Sequence, residues 1–301
     1  MNSAGFSIIV PVFAPPAQLR ECLEPLCRLD APRGGFEVVI VDDGSPTPHD
    51  DVVGCYRSRI DVRLLRQCNR GAGAARNAGA RIAGGKYLVF TDVDCRPARE
   101  WLTVLAERFE QTSDFMLGGR TVNRLIANRY AATSQLIVDV VYAFYNARPE
   151  GARFFASNNL AIPATLFRAV GGFDENVFRV ASEDRELCDR WHHTGGRMAY
   201  VPEAVVFHAH ALTLAAFCRQ HFSYGRGAWN YHRRRAERGS GRMRDDFRFY
   251  PRFFKLVRGP LEQLPHFRRF SILALLALWQ AANATGFAYE ACRAFIDPAI
   301  R

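Results

Sequence analysis

The sequence predicts an α/β fold, a sheet covered by helices on both faces, followed by a helical C-terminal extension. Three observations predict it. Short β-branched runs alternate with segments of helical periodicity through the first third of the chain. The runs are apolar almost throughout, which is the pattern of strands buried on both faces in a parallel, doubly wound sheet. Beyond residue 213 strand-like runs disappear and helical periodicity takes over.

Phe6–Phe13 is a β-branched run that ends at Pro15-Pro16, a strand with a stop signal. Gln18–Leu29 places Leu19, Cys22, Leu23, Leu26 and Leu29 at helical spacing. Phe36–Val41 is a second strand, closed by the turn residues Asp42-Asp43-Gly44-Ser45-Pro46. Val62–Leu65 is a third. Asn69–Ala83 opens with Gly71 and Gly73 and continues as an Ala-rich helix, and Tyr87–Thr91 is a fourth strand, ending at Asp92-Val93-Asp94. Arg99–Gln111 is an amphipathic helix. The next hundred residues are less regular. Phe115–Val122 reads as a strand and Tyr130–Tyr145 as a helix. Phe154–Ile162 reads as a strand interrupted at Asn158-Asn159. Ser182 is a candidate cap for a helix whose first turn carries Glu183 and Asp184. Met198–Val201 and Ala204–Phe207 are two short strands, the second leading to His208-Ala209-His210. Thr213 caps a long basic helix that Gly239-Ser240-Gly241 breaks, and a hydrophobic helix follows.

Ligands of such sheets bind at the carboxyl ends of the strands. Here those ends carry Asp42-Asp43, Asn69 to Gly73, and Asp92/Asp94, so three polar clusters converge on one sheet edge. The first strand is not followed by GxGxxG, no GxxxxGK[ST] occurs, and no GxSxG is present. A dinucleotide fold, a P-loop and a hydrolase elbow are therefore excluded. Acids arrayed beside a phosphate site imply a divalent cation, because the like charges otherwise repel. Asp92-Val93-Asp94 can offer carboxylate oxygen to Mg²⁺ or Mn²⁺. By itself the pattern is common among solvated loop acids; its place at a strand end, in register with Asp42, gives it weight. Glu183-Asp184 supplies carboxylates at a helix start, either ordinary N-terminal acids or a general base. His208, at a strand end, suits a third metal ligand.

In order and spacing these segments resemble family 2 glycosyltransferases. The resemblance rests on Phe6–Phe13 with Pro11, Val41-Asp42-Asp43-Gly44-Ser45, Ala75-Arg76-Asn77-Ala78-Gly79 and Asp92-Val93-Asp94. Asn159-Leu160-Ala161-Ile162, Gly171-Gly172-Phe173-Asp174-Glu175 and Glu183-Asp184 continue it, and it covers residues 5 to 230. It implies a GT-A-like nucleotide-binding sheet flanked by helices and an inverting transfer of a sugar from a nucleotide-diphosphate donor to a hydroxyl, in cell-surface glycan or glycolipid synthesis. By resemblance, Pro11, Asp42, Asp43, Arg76 and Asp92 bind the donor. Asp94 and His208 hold the divalent cation. Asp184 is the catalytic base, aided by Glu183, and Asn159 and Asp174 shape the acceptor side. The implied division is a catalytic domain over 1–212, with a donor half at 1–112 and an acceptor half at 113–212, and a membrane-associated helical region at 213–301. Processive members carry Q-x-x-R-W after the base; here Gln220-His-Phe-Ser-Tyr224 lacks Arg-Trp, which favours single transfers. A hydrolase with two facing carboxylates is the chemical rival.

Charge sharpens the reading of the extension. Forty Lys and Arg oppose thirty Asp and Glu, a net of +10. Residues 215–270 hold 14 basic and 4 acidic residues, so the whole excess belongs to this segment. Its arginines are interleaved with Phe, Tyr and Trp, which suits nucleic acid or an anionic lipid surface. Phe270–Tyr289 is an uncharged stretch of twenty residues, about one hydrocarbon thickness as a helix. Its neighbourhood decides for the membrane. Eight scattered cysteines without CxxC pairs, and no basic n-region before Phe6, place the expected site of action in the cytoplasm, at the inner membrane face.

Overall fold

The computed structural model describes residues 5–178 and 180–296. Eight strands form one sheet: β1 (Phe6–Val12), β2 (Phe36–Asp42), β3 (Val62–Arg66), β4 (Tyr87–Phe90), β5 (Cys95–Pro97), β6 (Met116–Asn123), β7 (Leu160–Pro163) and β8 (Met198–His208). The helices are α1 (Pro16–Leu26), α2 (Asp50–Gly54), α3 (Ala72–Ile82), α4 (Trp101–Gln111), α5 (Arg129–Tyr145), α6 (Ala164–Ala169), α7 (Glu183–His193), α8 (Leu214–Arg238), α9 (Met243–Asp246), α10 (Phe249–Glu262) and α11 (His266–Ile296).

The sheet order is β3-β2-β1-β4-β7-β6-β8-β5. β3, β2, β1 and β4 are parallel, as the alternating pattern predicts. Beyond β4 the sheet is mixed. β7 runs antiparallel to β4 and β6, β6 and β8 are parallel, and β5 is antiparallel to β8. One consequence sets up the site. The carboxyl ends of β1 to β4, β6 and β8 share an edge with the amino ends of β5 and β7. Asp42, Asp92, Asn159 and His208 therefore all arrive at that edge.

Two apolar layers sandwich the sheet. Leu19, Leu23, Trp101, Leu105 and their neighbours fill one face, and Ala75, Phe90, Phe167, Phe173 and Trp191 the other. At roughly 25 cal/mol per Å² of apolar surface, burial of this kind dominates the folding free energy. Strands crossing from 1–112 into 113–212 share this one sheet, through β4 with β7 and β5 with β8. A third apolar cluster lies outside it: α5, α8, α10 and α11 bury Ile137, Val140, Phe217, Phe253, Val257, Leu275 and Trp279 together.

Three local expectations change. Residues 154–156 are not strand; a 3-10 turn at Ser157–Asn159 precedes β7. The two short strands at 198–207 are one strand, β8, whose pairing with β6 shifts between Gly119 and Arg120. Asn159 fills that irregularity, donating to Arg120 O (3.1 Å) and Ala204 O (2.9 Å). Ser182 does not cap α7. It sits in the left-handed region (φ 72°), and its side chain accepts no capping bond. It lies under Gly227 of α8, where a Cβ would come within 2.5 Å of its hydroxyl. Thr213 does cap α8, accepting from the Ala216 N–H at 3.2 Å.

Candidate active site

Asp94, just before β5, and His208, ending β8, are adjacent because β5 and β8 pair with Cys95 opposite His208. His208 Nε2 stands 3.2 Å from Asp94 Oδ2, and His210 Nδ1 stands 2.9 Å from the same oxygen. The two rings are stacked, 5.4 Å apart at 4°. Burial disfavours charge on Asp94, but its hydrogen bonds to His208 and His210 hold its carboxyl well below the usual carboxylate range. Burial likewise opposes protonation of His208; the Asp94 hydrogen bond and charge outweigh it, and its pKa is raised. Asp94, Cys95 and His208 present ligand atoms all within 4.8 Å of one another. A carboxylate and imidazoles converging on one point fit a divalent ion of the Mn²⁺ type better than an all-oxygen Ca²⁺ cage. The His210 contact was not anticipated as a ligand; its spacing from His208, on the same side of an extended chain, was the available signal.

The second acid corner is built by α7. Asp184 Oδ1 accepts from its neighbour's N–H, that of Arg185 (2.7 Å), and Oδ2 accepts from the Ser157 N–H (3.2 Å) in the turn before β7. Burial, with the adjacent Glu183 charge second, pushes the Asp184 carboxyl up to about 7, against the lowering effect of those N–H groups and Arg76. A carboxyl at that value exchanges protons near neutrality, as a general base must.

Arg76 joins the two corners. It is 3% exposed and lies on α3. Nη2 donates to Asp92 Oδ1 at 2.6 Å and Nη1 to Glu183 Oε1 at 2.8 Å. Its guanidinium also stacks over Phe173 at 5.6 Å. A planar fork with separate, widely spaced donors can hold two carboxylates at once in fixed directions, which the point charge of a lysine does not fix. Both acids raise its pKa against the cost of burial. Its two terminal nitrogens are thus engaged by protein carboxylates and hold Asp92 and Glu183 to one guanidinium, while its buried Nε has no hydrogen-bond partner among the described residues.

Asp42 and Asp43 hold the turn beside the donor edge. Asp42 is fully buried and accepts from the Ser45 N–H at 2.8 Å, with His49 Nδ1 at 3.3 Å. Burial opposes its ionisation, but Ser45 and His49 keep its carboxyl low. Asp43 accepts from the N–H groups of Arg70 (2.9 Å) and Gly71 (2.8 Å) and from Gln67 Nε2 (2.7 Å), tying the second strand's turn to the start of α3. Pro11 is in β1 itself, and the exposed Phe13 follows it at the rim.

The acceptor candidates part company. Asn159 is buried, and besides its two amide donations it accepts from Trp101 Nε1 at 2.9 Å. Its polar atoms are fully engaged in holding the strand irregularity, so it is removed from the acceptor surface. Asp174 Oδ1 accepts from the N–H groups of Asn176 and Val177, both 3.1 Å, and Oδ2 faces Arg234 of α8 at 3.3 Å. It lines a polar cleft of about 570 Å³ with Asn77, Glu175 and Arg190, separate from Asp94 and Asp184. The sequence reading missed Tyr224. This tyrosine of α8 is 46% exposed, and its hydroxyl accepts from Gln220 Nε2 at 3.1 Å.

A mixed sheet with a carboxylate–imidazole corner at one strand end and a half-buried acid at the start of α7 is the arrangement that the resemblance to a sugar-nucleotide transferase implies. Comparison with known proteins agrees: residues 7–170 match the model of glycosyl transferase family 2, and the chain belongs to that family. Pre-mycofactocin glycosyltransferase of Mycobacterium tuberculosis is 28% identical over 229 residues, 74% of this chain and 46% of that protein. Validoxylamine A glucosyltransferase of Streptomyces hygroscopicus is 28% identical over 217 residues, 63% of this chain and 51% of that protein. The chain thus spans about half the length of these curated relatives. Among solved structures, the mannosyltransferase PcManGT of Pyrobaculum calidifontis, in complex with GDP-Man and Mn²⁺, superposes with a TM-score of 0.61 at 20% identity, over 98% of this chain and 81% of that one. TarS residues 1–349 of S. aureus, in complex with UDP-GlcNAc, superposes with a TM-score of 0.56 at 14% identity, over 94% and 90%. Both share the GT-A-like fold.

Proposed function

We propose that this chain is an inverting, divalent-cation-dependent glycosyltransferase that makes single transfers from a nucleotide-diphosphate sugar to an acceptor hydroxyl. The observation that carries the reading is the geometry of two acids, Asp94 facing His208 and His210 on one oxygen at the sheet edge, and Asp184 held by the Ser157 and Arg185 N–H groups at the start of α7. Asp184 takes the proton of the acceptor hydroxyl. The freed oxygen attacks the anomeric carbon from the side opposite the diphosphate, and the bond from that carbon to the diphosphate oxygen breaks. One displacement inverts the centre and needs no covalent sugar–protein intermediate. Asp94, His208 and His210 would hold the cation, which when bound neutralises charge on the departing diphosphate. Arg76 keeps Asp92 and Glu183 in place on either side. The Mn²⁺-bound mannosyltransferase of the same fold supports the cation.

The test is a panel of nucleotide sugars with and without Mn²⁺ or Mg²⁺, with product anomers read by NMR. Transfer should require the cation, fail in Asp94→Ala and Asp184→Asn, and invert the anomeric centre. Retention of configuration, or release of free sugar despite excess acceptor, would replace this reading with a double-displacement or hydrolytic one.

The basic, aromatic-rich helices further support action at the cytoplasmic face of a membrane in envelope glycan or glycolipid synthesis, with a glycan or lipid-linked acceptor. Nucleic acid is not part of this reading.

A further inference from the structure

We propose that α10 and α11 form a membrane-docking hairpin that lies flat on an anionic lipid surface, and that α11 does not span the bilayer. The proposal rests on, and specifies, the membrane-side action just proposed.

Length and composition alone allow α11 to cross a membrane. Its packing argues otherwise. Gly286 of α11 meets the Phe222 carbonyl of α8 and Gly225 of α8 meets the Asn283 carbonyl of α11, so closely that a Cβ at either glycine would strike the opposing backbone. One turn further on, the buried Glu290 accepts from Arg226 Nε at 2.6 Å. α8 carries much of the excess basic charge. A helix clasped along its length to such a partner cannot leave for a hydrocarbon core without breaking the buried Arg226–Glu290 pair and carrying Glu290, with its neighbour Arg293 at 3.6 Å, into the hydrocarbon.

The opposite face of α11 is unlike an ordinary solvated face. Between Phe270 and Tyr289 its exposed residues are Leu273, Ala274, Ala277, Ala281, Ala284, Thr285 and Ala288, with no charge among them. Phe267 and Phe270 at its start are 71% and 73% exposed. The preceding helix shows the same division. Phe253, Val257 and Leu261 face the shared cluster, while Phe247, Tyr250 and Phe254, at helical spacing just before and within α10, stand outside it. Five exposed cations accompany them, Arg248, Arg252, Lys255, Arg258 and Arg268, against one exposed acid, Glu262. Large aromatics beside cations, with an uncharged face long enough to lie in the headgroup layer, select an anionic bilayer surface. A protein partner matched to the cations would need acids; a second copy of this surface would bring the same cations together.

The full chain is tested by cosedimentation with phosphatidylcholine vesicles and with vesicles containing phosphatidylglycerol, at low and high salt. Binding should need the anionic lipid and weaken with salt. The triple variant Phe254→Ser/Phe267→Ser/Phe270→Ser, and separately Arg248→Gln/Lys255→Gln/Arg268→Gln, should each lower the vesicle partition by about tenfold or more. Melting temperature and transfer to a soluble acceptor should stay as in the parent chain. High-pH carbonate should release the bound protein. Equal binding to neutral vesicles, no loss in either variant, or resistance to carbonate would overturn the proposal. So would loss of a dimer in the Phe variant, or vesicle-independent RNA binding lost in the Arg/Lys variant. Failure of vesicle binding with transfer intact removes the docking surface alone; loss of transfer in the parent chain strikes the enzymatic reading instead.

Discussion

Asp94 and Asp184 are both partly enclosed acids at one sheet edge, yet their surroundings pull them in opposite directions. Two imidazoles face Asp94, and charge is stabilised there. Asp184 has the Glu183 charge beside it and a buried setting, and only the more distant Arg76 and two N–H groups offset them. The same residue type is thus biased toward the anion at one end and toward the neutral acid at the other. The difference lies in which strands and helices bring partners to each acid, and substitutions can break it from either side.

The largest effect is expected on the low corner. Asp94→Ala should reduce transfer by about a thousandfold or more, because charge on the leaving diphosphate loses its counterion site. Mn²⁺ affinity, measured by electron paramagnetic resonance, should fall with it. His210→Ala should weaken Mn²⁺ binding by a smaller factor, roughly tenfold; unchanged affinity would show that His210 only orients Asp94.

On the high corner, Asp184→Asn should cost about a hundred- to thousandfold in kcat. It should also stabilise the protein at alkaline pH. The folded value of Asp184 lies above its ordinary one, so its contribution to stability is present at low pH and is lost as pH rises through about 7. The asparagine carries no charge, so its melting temperature should exceed the parent's at about pH 8 and converge toward it at about pH 4. In the parent, kcat should rise with pH through about 7, and the Asn variant should lose that limb.

Removing the link between the corners should show their coupling. Arg76→Lys keeps the charge but loses the planar fork whose two nitrogens diverge to Asp92 and Glu183, so it should cost about 2 kcal/mol of stability and lower kcat more than it changes donor KM. Denaturant melts and steady-state kinetics would check both. The smallest effect is expected at the rim. Tyr224→Phe should change acceptor KM by a few-fold and leave donor KM unchanged, since it removes one hydroxyl near the base; an effect on donor KM instead would place Tyr224 on the wrong side of the site.

Much of this was legible from residue order. The four parallel strands, the acids at their carboxyl ends and the helix that begins at Glu183 follow from local pattern, because period and turn chemistry are written within a few residues. Asn159 shows where that reading failed. The family resemblance puts it on the acceptor side, but the strand irregularity opposite Gly119 absorbs its amide. Ser182 failed for a related reason: cap chemistry is local, but its hydroxyl lies against Gly227 of α8 and its backbone is left-handed, both set by segments the local pattern does not include.

The sequence by itself determined the α/β class, the acidic edge and the placement of all excess basic charge between residues 215 and 270. Only the tertiary structure decided that Arg76 joins Asp92 to Glu183, the latter 107 positions from Arg76, that His210 shares an oxygen with His208, and that α11 is clasped to α8 by Gly225, Gly286 and Glu290. The physical reason is common to all three. Hydrophobic period and strand ends specify which surface a segment buries, whereas an ion pair or a glycine contact depends on distances that exist only after distant segments have packed.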